Sequence, residues 1–217
     1  MISKELKLVI FDKDGLIMNT EAPVFQVWSD VFEEWDVKPF NKDIYIKFVG
    51  SGRDKNLDLM KELYPYVKAE DLFDACSAKV REYIACNDIE IMPGLIELLD
   101  HLDEKGIRKC VATSSRKPNA IITLEKCNML HRFDEVISGN MVERTKPAPD
   151  LFLKAVEIFK VNPRDCLVLE DSIAGIEAAV AASIPAIAIP DMVPIPEDIV
   201  KLCEYVCKSL NEVIGLI

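Results

Sequence analysis

Short apolar runs that alternate with helical segments are the feature that most constrains how this chain folds. The residues 8–11 form a continuous apolar run, and beyond residue 90 short segments with apolar centres, which we interpret as strands, occupy 110–113, 135–138, 166–169 and 186–189. Continuous apolar runs of this length are typical of strands buried on both faces. Strands that alternate with helices predict an α/β fold built on a doubly wound parallel sheet.

An all-helical block interrupts this alternation after the first strand. Between about 17 and 90 no strand pattern is visible, and Trp28 and Trp35 fall at the helical spacing of packed residues. We therefore expect a core domain formed by 1–16 and 90–217, with residues 17–89 inserted as a helical domain. The predicted helices cover 21–35, 54–64, 69–86, 93–106, 119–127, 150–159 and 173–182.

Composition and charge limit the classes of function. The 217 residues are 50% apolar and 29% charged, which is typical of a globular protein with a substantial core. The net charge of -11 argues against nucleic acid as a partner, because no basic field meets the phosphates. An anionic substrate therefore requires a local positive group or a metal.

The sequence favours a cytoplasmic protein. The first apolar run has four residues, too few for a signal peptide or a membrane span. The seven cysteines are scattered, odd in number and without a CxxC pair, which indicates reduced thiols. His101 and His131 are isolated, so we expect no zinc site.

Polar residues follow three of the predicted strands. Asp12 and Asp14 follow the first, Thr113 and Ser114 the second, and Glu170-Asp171 the fourth, while Lys146 lies in a loop before a helix. Ligands of open α/β sheets bind at the carboxyl ends of the strands. We therefore expect these segments to meet in one site.

The chemistry of this set points to phosphoryl transfer. Clustered carboxylates stay ionised only beside a cation, which implies a hard metal such as Mg²⁺. A lysine, a hydroxyl and free backbone N–H groups suit phosphate oxygens. One aspartate can attack phosphorus, and a second can act as general acid and then base.

The stretches Asp12-Lys13-Asp14-Gly15, Thr113, Lys146-Pro147 and Glu170-Asp171 resemble, in order, the four motifs of the haloacid dehalogenase superfamily. Their flanking residues look like its β-phosphoglucomutase-like branch, which includes sugar-phosphate and pseudouridine-phosphate phosphatases. The helical block resembles the cap domain of that superfamily, which closes over the substrate.

The resemblance implies a role for each residue. Asp12 is then the nucleophile and a metal ligand, and Asp14 is the general acid and base, which also binds metal through its backbone carbonyl. Thr113 and the backbone at Ser114 hold the phosphoryl group, and Lys146 bridges nucleophile and phosphate. Asp171 ligates Mg²⁺, with Glu170 beside it, directly or through water. In Gly50-Ser51-Gly52-Arg53, the arginine resembles a cap residue that meets substrate phosphate.

Simpler explanations exist for each of these residues. An aspartate after a strand is often a turn or capping residue, and Thr113 to Ser115 can cap the next helix, a role for which Asn119 competes. Lys146 and Arg53 can be solvated surface charges. The joint presence of the motifs favours the catalytic interpretation.

Lys13 departs from the family pattern, in which an apolar residue is commoner between the two aspartates. Strand alternation predicts that its side chain points away from the phosphate. If it points inward instead, it pairs with Asp12 or Asp14.

A Mg²⁺-dependent phosphatase is the favoured function, with a small sugar phosphate or nucleoside monophosphate as substrate and a monomer as the expected state. A dehalogenase of this superfamily lacks the second aspartate. A phosphomutase is the alternative, but its cap histidine is absent, since Glu21-Ala22-Pro23-Val24 stands there. A weakly catalytic protein that binds a phosphorylated metabolite is the third possibility, and no nucleic-acid or membrane partner is expected.

Overall fold

The structure is a computed structural model that describes residues 5–49 and 53–217. The chain divides into two compact units. The first comprises the residues up to Asn19 together with Glu90–Ile217, and the second comprises Thr20–Ile89. Residues 17–19 belong to the first unit, where Met18 forms an antiparallel bridge with Ile91.

The first unit contains the predicted parallel sheet. Among the described residues six strands pair in the order β3-β2-β1-β4-β5-β6, and every pairing is parallel. The apolar runs predict the first five, but not β6, because both of its residues are exposed. The strands are β1 (Leu8–Phe11), β2 (Arg108–Thr113), β3 (Glu135–Ser138), β4 (Cys166–Glu170), β5 (Ala186–Ala188) and β6 (Tyr205–Val206).

The helices agree with the sequence pattern where they are long. In the described residues they are α1 (Glu21–Glu34), α2 (Lys42–Tyr45), α3 (Arg53–Leu63), α4 (Ala69–Cys86), α5 (Leu95–Glu104), α6 (Lys117–Lys126), α7 (Asp150–Phe159), α8 (Ile173–Ala181), α9 (Glu197–Val200) and α10 (Leu210–Ile214). The helix expected to open at Pro93 begins at Leu95 instead, because Gly94 precedes it with a φ of 86°. The short helices α2, α9 and α10 offer too few turns for a periodic pattern.

Strand order determines where a ligand can bind. Phe11 at the end of β1 pairs with Val111 on one side and Leu169 on the other. The direction of strand order therefore reverses between β1 and β4. In doubly wound sheets this reversal opens a crevice at the carboxyl ends of the strands. The residues that follow β1, β2 and β4 are those for which the sequence predicts chemistry.

Strands β1 to β5 are largely buried, as their apolar residues predict. Helices α7 and α8 contribute to the core on one face, which includes Leu8, Ile10, Ala112, Val168, Phe152, Ala155 and Ala178. A packed sheet of this kind is a scaffold for the loops at its carboxyl edge.

The second unit is helical and packs around aromatic side chains. Trp28 of α1 is 7% exposed and contacts several rings, those of Phe32, Phe40, Tyr45, Phe48 and Phe73. Trp35 is 43% exposed, so the expectation that both tryptophans are packed is correct for Trp28 and wrong for Trp35. Trp35 follows the last residue of α1, where the helical spacing no longer applies.

All seven cysteines are free thiols. No helix in the described part of the chain has the length and the apolar composition that crossing a membrane requires.

Candidate active site

Lys146 is the point at which three of the predicted segments meet. Its ammonium donates to the Asp12 carboxylate, to Oε1 of Glu170 at 2.5 Å and to the carbonyl oxygen of Ala112 at 2.9 Å. The Phe152 ring of α7 lies 5.2 Å from Nζ. These three acceptors match the three N–H donors of a lysine. Lys146 is therefore a buried cation shared by two carboxylates, and the solvated-surface explanation is excluded.

Asp12 is held in place by the sheet edge. It directly follows β1, and its N–H donates to the carbonyl oxygen of Leu169 at 3.1 Å. Burial raises the pKa of Asp12 to about 7. The negative charges of Glu170 and Asp14 add to this effect, which the Lys146 ammonium opposes. Burial alone lowers the pKa of Lys146, but the charges of Asp12 and Glu170 outweigh it and raise the pKa above its ordinary value.

Glu170 has hydrogen bonds at both carboxylate oxygens. Oε1 accepts from Lys146, and Oε2 accepts from Ser172, from its N–H at 3.1 Å and its hydroxyl at 2.9 Å. Three of the roughly four acceptor positions of the carboxylate are thus occupied by hydrogen bonds, and the second lone pair of Oε1 is left for another partner. In the arrangement described, Glu170 holds Lys146 against Asp12.

Asp14 and Asp171 lie at the same turn. The turn after β1 is closed by bonds from the N–H groups of Ile17 and Met18 to the carbonyl oxygen of Lys13, at 3.0 and 3.2 Å. Gly15 in this turn has a φ of 80°, and a β-carbon there would lie 2.4 Å from Oδ2 of Asp171. Asp171 is therefore packed against the turn that carries Asp14, and a side chain at position 15 is excluded.

Lys13 pairs with Asp14. Its Nζ lies 2.7 Å from Oδ1 of Asp14 and 3.4 Å from the hydroxyl oxygen of Thr123 in α6. Oδ2 of Asp14 accepts from the Ser115 hydroxyl at 3.3 Å. Of the two orientations open for Lys13 in the sequence, the structure adopts the one that pairs with an aspartate. Because β1 ends at Phe11, the turn that follows the strand sets the direction of the Lys13 side chain.

Thr113 and Ser114 form the turn after β2. Thr113 is buried, and its hydroxyl oxygen accepts from the N–H of Ser115 at 3.1 Å. Ser114 is exposed, and Gly139 approaches so closely that a β-carbon there would lie 2.4 Å from the Ser114 carbonyl oxygen. Both residues thus lie at the carboxyl end of β2, the edge at which ligands of such sheets bind.

Arg53 lies in the second unit, at the start of α3. Its guanidinium donates to Oδ1 of Asp74 at 2.7 Å and lies 4.9 Å from the centre of the Phe73 ring. Gly50, Ser51 and Gly52, which complete its predicted motif, lie outside the described residues. The arginine is partly exposed and has an acidic partner within its own unit.

The donor set fits Mg²⁺. Within residues 5–49 and 53–217, no group of three or more His, Cys, Asp or Glu side chains forms a ready metal cage. Mg²⁺ does not need one, because it binds through one or two carboxylates and completes its shell with waters and substrate phosphate. To a Mg²⁺ ion bound here, Asp12 and Asp171 would supply carboxylates, and the Asp14 carbonyl would supply a third hard oxygen.

Sequence reasoning overlooks the residues that shape the site without carrying its chemistry. Ser172 is the N-cap of α8, and its hydroxyl also accepts from the N–H of Gly175 at 3.1 Å. A serine just before a helical segment is a recognisable capping pattern, so Ser172 can be found in the sequence. Gly175 lies so close to Glu170 that a β-carbon on it would be 1.9 Å from Oε1, and this tertiary contact leaves no local pattern in the sequence.

The chain matches the family model described as Haloacid dehalogenase-like hydrolase over residues 9–189. It is 29% identical over 182 residues to the Phosphorylated carbohydrates phosphatase of Thermotoga maritima, which covers 84% of each protein. It is 30% identical over 200 residues to a Probable pseudouridine-5'-phosphatase of Drosophila melanogaster, covering 88% of this chain and 86% of that protein. Identity to the Beta-phosphoglucomutase of Bacillus subtilis is 29% over 191 residues, 85% of this chain and 83% of the relative.

The length of the relatives varies. The chain spans 18% of the Arabidopsis thaliana Protein SUPPRESSOR OF QUENCHING 1, chloroplastic, to which it is 33% identical over 193 residues.

Among solved structures, a putative beta-phosphoglucomutase from Thermotoga maritima superposes with a TM-score of 0.78 at 25% identity, over 97% of both chains. The fold, the order of the motifs and the family match agree: the chain belongs to the haloacid dehalogenase-like hydrolase family and is an enzyme of that family.

Proposed function

We propose that this enzyme is a Mg²⁺-dependent phosphatase that hydrolyses a small phosphomonoester through an aspartyl-phosphate. The observation that carries the proposal is the buried Asp12, held against Lys146 at the carboxyl edge of the sheet. A buried carboxylate oriented by a cation, beside a second aspartate, is the arrangement that nucleophilic catalysis followed by proton transfer requires.

In the first step of the proposed reaction, a carboxylate oxygen of Asp12 attacks phosphorus and the bond to the leaving oxygen breaks. Asp14 donates a proton to that oxygen, so the product leaves as an alcohol. Lys146 orients Asp12 and offsets negative charge near the transferring group. Thr113 and the backbone at Ser114 donate to the phosphoryl oxygens.

In the second step, Asp14 accepts a proton from a water molecule, whose oxygen attacks phosphorus. The bond between Asp12 and phosphorus breaks, which releases inorganic phosphate and restores both aspartates. Mg²⁺, held by Asp12, Asp171 and the Asp14 carbonyl, supplies charge neutralisation when bound. Glu170 is assigned the positioning of Lys146, with metal ligation as its alternative role.

The substrate proposed is a small phosphorylated sugar or a nucleoside monophosphate, by analogy with the printed names of the relatives. Arg53 in the second unit is proposed as a contact for an anionic group of that substrate. We further expect a monomer in the cytoplasm, where thiols remain reduced.

The test is phosphate release from a panel of sugar phosphates and nucleoside monophosphates, with Mg²⁺ and with a chelator. Asp12→Asn serves as the blank, since asparagine is nearly isosteric and lacks the nucleophilic charge. Release that needs Mg²⁺ and Asp12 supports the proposal. Turnover that resists the chelator contradicts the metal role, and turnover by Asp12→Asn contradicts the nucleophile.

The same panel separates the alternatives. Isomerisation of a hexose 1-phosphate without phosphate release would favour a phosphomutase, the activity named for one relative. Binding without either reaction would favour a sensor of a phosphorylated metabolite.

A further inference from the structure

Lys13 is a buried lysine that the proposed chemistry does not use. It is 3% exposed and lies between the two aspartates of the catalytic turn. Lysine is seldom fully buried unless it is paired. Its two partners are Oδ1 of Asp14 at 2.7 Å and the hydroxyl oxygen of Thr123 at 3.4 Å.

Hydrogen bonds hold Lys13 both at its backbone and at the tip of its side chain. At the backbone, the Lys13 carbonyl oxygen accepts two hydrogen bonds that close the turn. At the tip, Thr123 is itself oriented, because its hydroxyl donates to the carbonyl oxygen of Asn119 at 2.9 Å, which leaves a lone pair for the ammonium. Lys13 therefore presents its charge from one defined position.

The two oxygens of Asp14 differ as a result. Oδ1 accepts a short, charge-assisted bond from Lys13, whereas Oδ2 accepts a longer bond of 3.3 Å from the Ser115 hydroxyl. Both bonds involve the charged carboxylate, but the Lys13 bond is shorter and joins two opposite charges, so it is the stronger of the two. The side chain of Asp14 is 36% exposed, so one face of the carboxylate is accessible to a reactant.

We propose that Lys13 is a positioning residue for Asp14: it anchors Oδ1 and so assigns proton transfer to Oδ2. The inference rests on the proposed function, because it presupposes that Asp14 exchanges protons with the leaving group and with water. Lys13 itself touches neither substrate nor phosphate.

The kinetic test compares Lys13→Met with Lys109→Met, a matched control. Lys109 is also a buried lysine, 6% exposed, paired with Asp103 at the amino end of β2, away from the site. Two probes are used in single-turnover experiments with enzyme in excess: p-nitrophenyl phosphate, whose leaving group departs unprotonated, and β-glycerol phosphate, whose leaving group needs a proton.

We expect Lys13→Met to release nitrophenolate at a rate within about twofold of the wild-type rate. It should release glycerol at least about tenfold more slowly than the wild type, because only glycerol release needs a proton from the oriented Asp14. Lys109→Met should keep both rates. Equal losses with the two probes in Lys13→Met would assign Lys13 a purely structural role and overturn the proposal, as would unchanged rates with both.

A second measurement is independent of activity. Crystal structures of the wild type and of Lys13→Met, both without substrate, should show one orientation of the Asp14 carboxylate in the former and a rotated or mixed orientation in the latter. The same single orientation in both would overturn the proposal. Absence of phosphatase activity in the wild type would refute the proposed function, and this comparison would then decide whether Lys13 positions Asp14.

Discussion

A β-carbon placed on Gly175 would lie 1.9 Å from both Cδ and Oε1 of Glu170. The backbone of α8 therefore packs directly against the carboxyl group that holds Lys146. Glycine is required at this position by space rather than by backbone conformation. The contact links the first turn of α8 to Lys146 through one buried carboxylate.

Gly175→Ala should therefore destabilise the protein, although alanine ordinarily favours a helix by about 1 kcal/mol over glycine. We expect a loss of about 2 kcal/mol in the free energy of unfolding, because the Glu170 carboxylate must shift. Urea denaturation measures it. Gly215→Ala is the control, since the nearest atom to a β-carbon there is 3.8 Å away. A stability gain in Gly175→Ala would show that the Glu170 site is not tightly packed.

Lys146→Met should leave Asp12 and Glu170 buried without their cation. Removing one partner of a buried ion pair costs about 3 kcal/mol or more, and the cost should be larger at pH 8 than at pH 5, where the carboxyl groups take up protons. Unfolding at both pH values without metal tests this. Lys154→Met, which removes a surface partner of Glu157, should change stability by less than about 0.5 kcal/mol. Equal effects of the two substitutions would contradict the buried network.

Mg²⁺ affinity should depend on pH through Asp12. Burial raises the pKa of Asp12 to about 7 in the metal-free protein, so below that pH the metal must displace a proton. The dissociation constant should fall by up to about tenfold per pH unit as pH rises toward 7 and level off above it. Calorimetric titration of Mg²⁺ across this range measures the slope. Asp12→Asn should abolish the dependence of the Mg²⁺ dissociation constant on pH. A dissociation constant that does not change with pH in the wild type would refute the assignment of Asp12 as the metal ligand that releases a proton.

Arg53→Met should raise KM for substrates with a second anionic group by about tenfold while leaving kcat largely unchanged, since one charge-assisted hydrogen bond contributes about 1.5 kcal/mol or more. Lys79→Met is the control, because Lys79 is likewise a partly exposed cation of the second unit with an acidic partner, Glu34. Equal changes in KM for the two variants would contradict the proposal that Arg53 contacts the substrate.

The sequence was sufficient to predict strands β1 to β5 and the meeting of Asp12, Lys146 and Glu170, because apolar segments mark buried strands and parallel strands share one carboxyl edge. It was insufficient wherever a side chain's direction depends on a neighbouring element. Lys13 pairs with Asp14 because the turn after β1 and Thr123 of α6 direct it there, and strand alternation carries no information beyond Phe11. The requirement for glycine at 175 arises from a contact with Glu170 that no local pattern encodes.

Trapping the covalent intermediate shows whether Asp12 is the nucleophile. The enzyme is mixed with Mg²⁺ and its best substrate, quenched in acid within one turnover and digested, and the peptide that contains Asp12 is analysed by mass spectrometry. The account predicts one phosphoryl group on Asp12 in the wild type, a longer-lived one in Asp14→Asn, and none in Asp12→Asn. A phosphoryl group on another residue, or rapid turnover with no phosphorylated peptide in any variant, would contradict it.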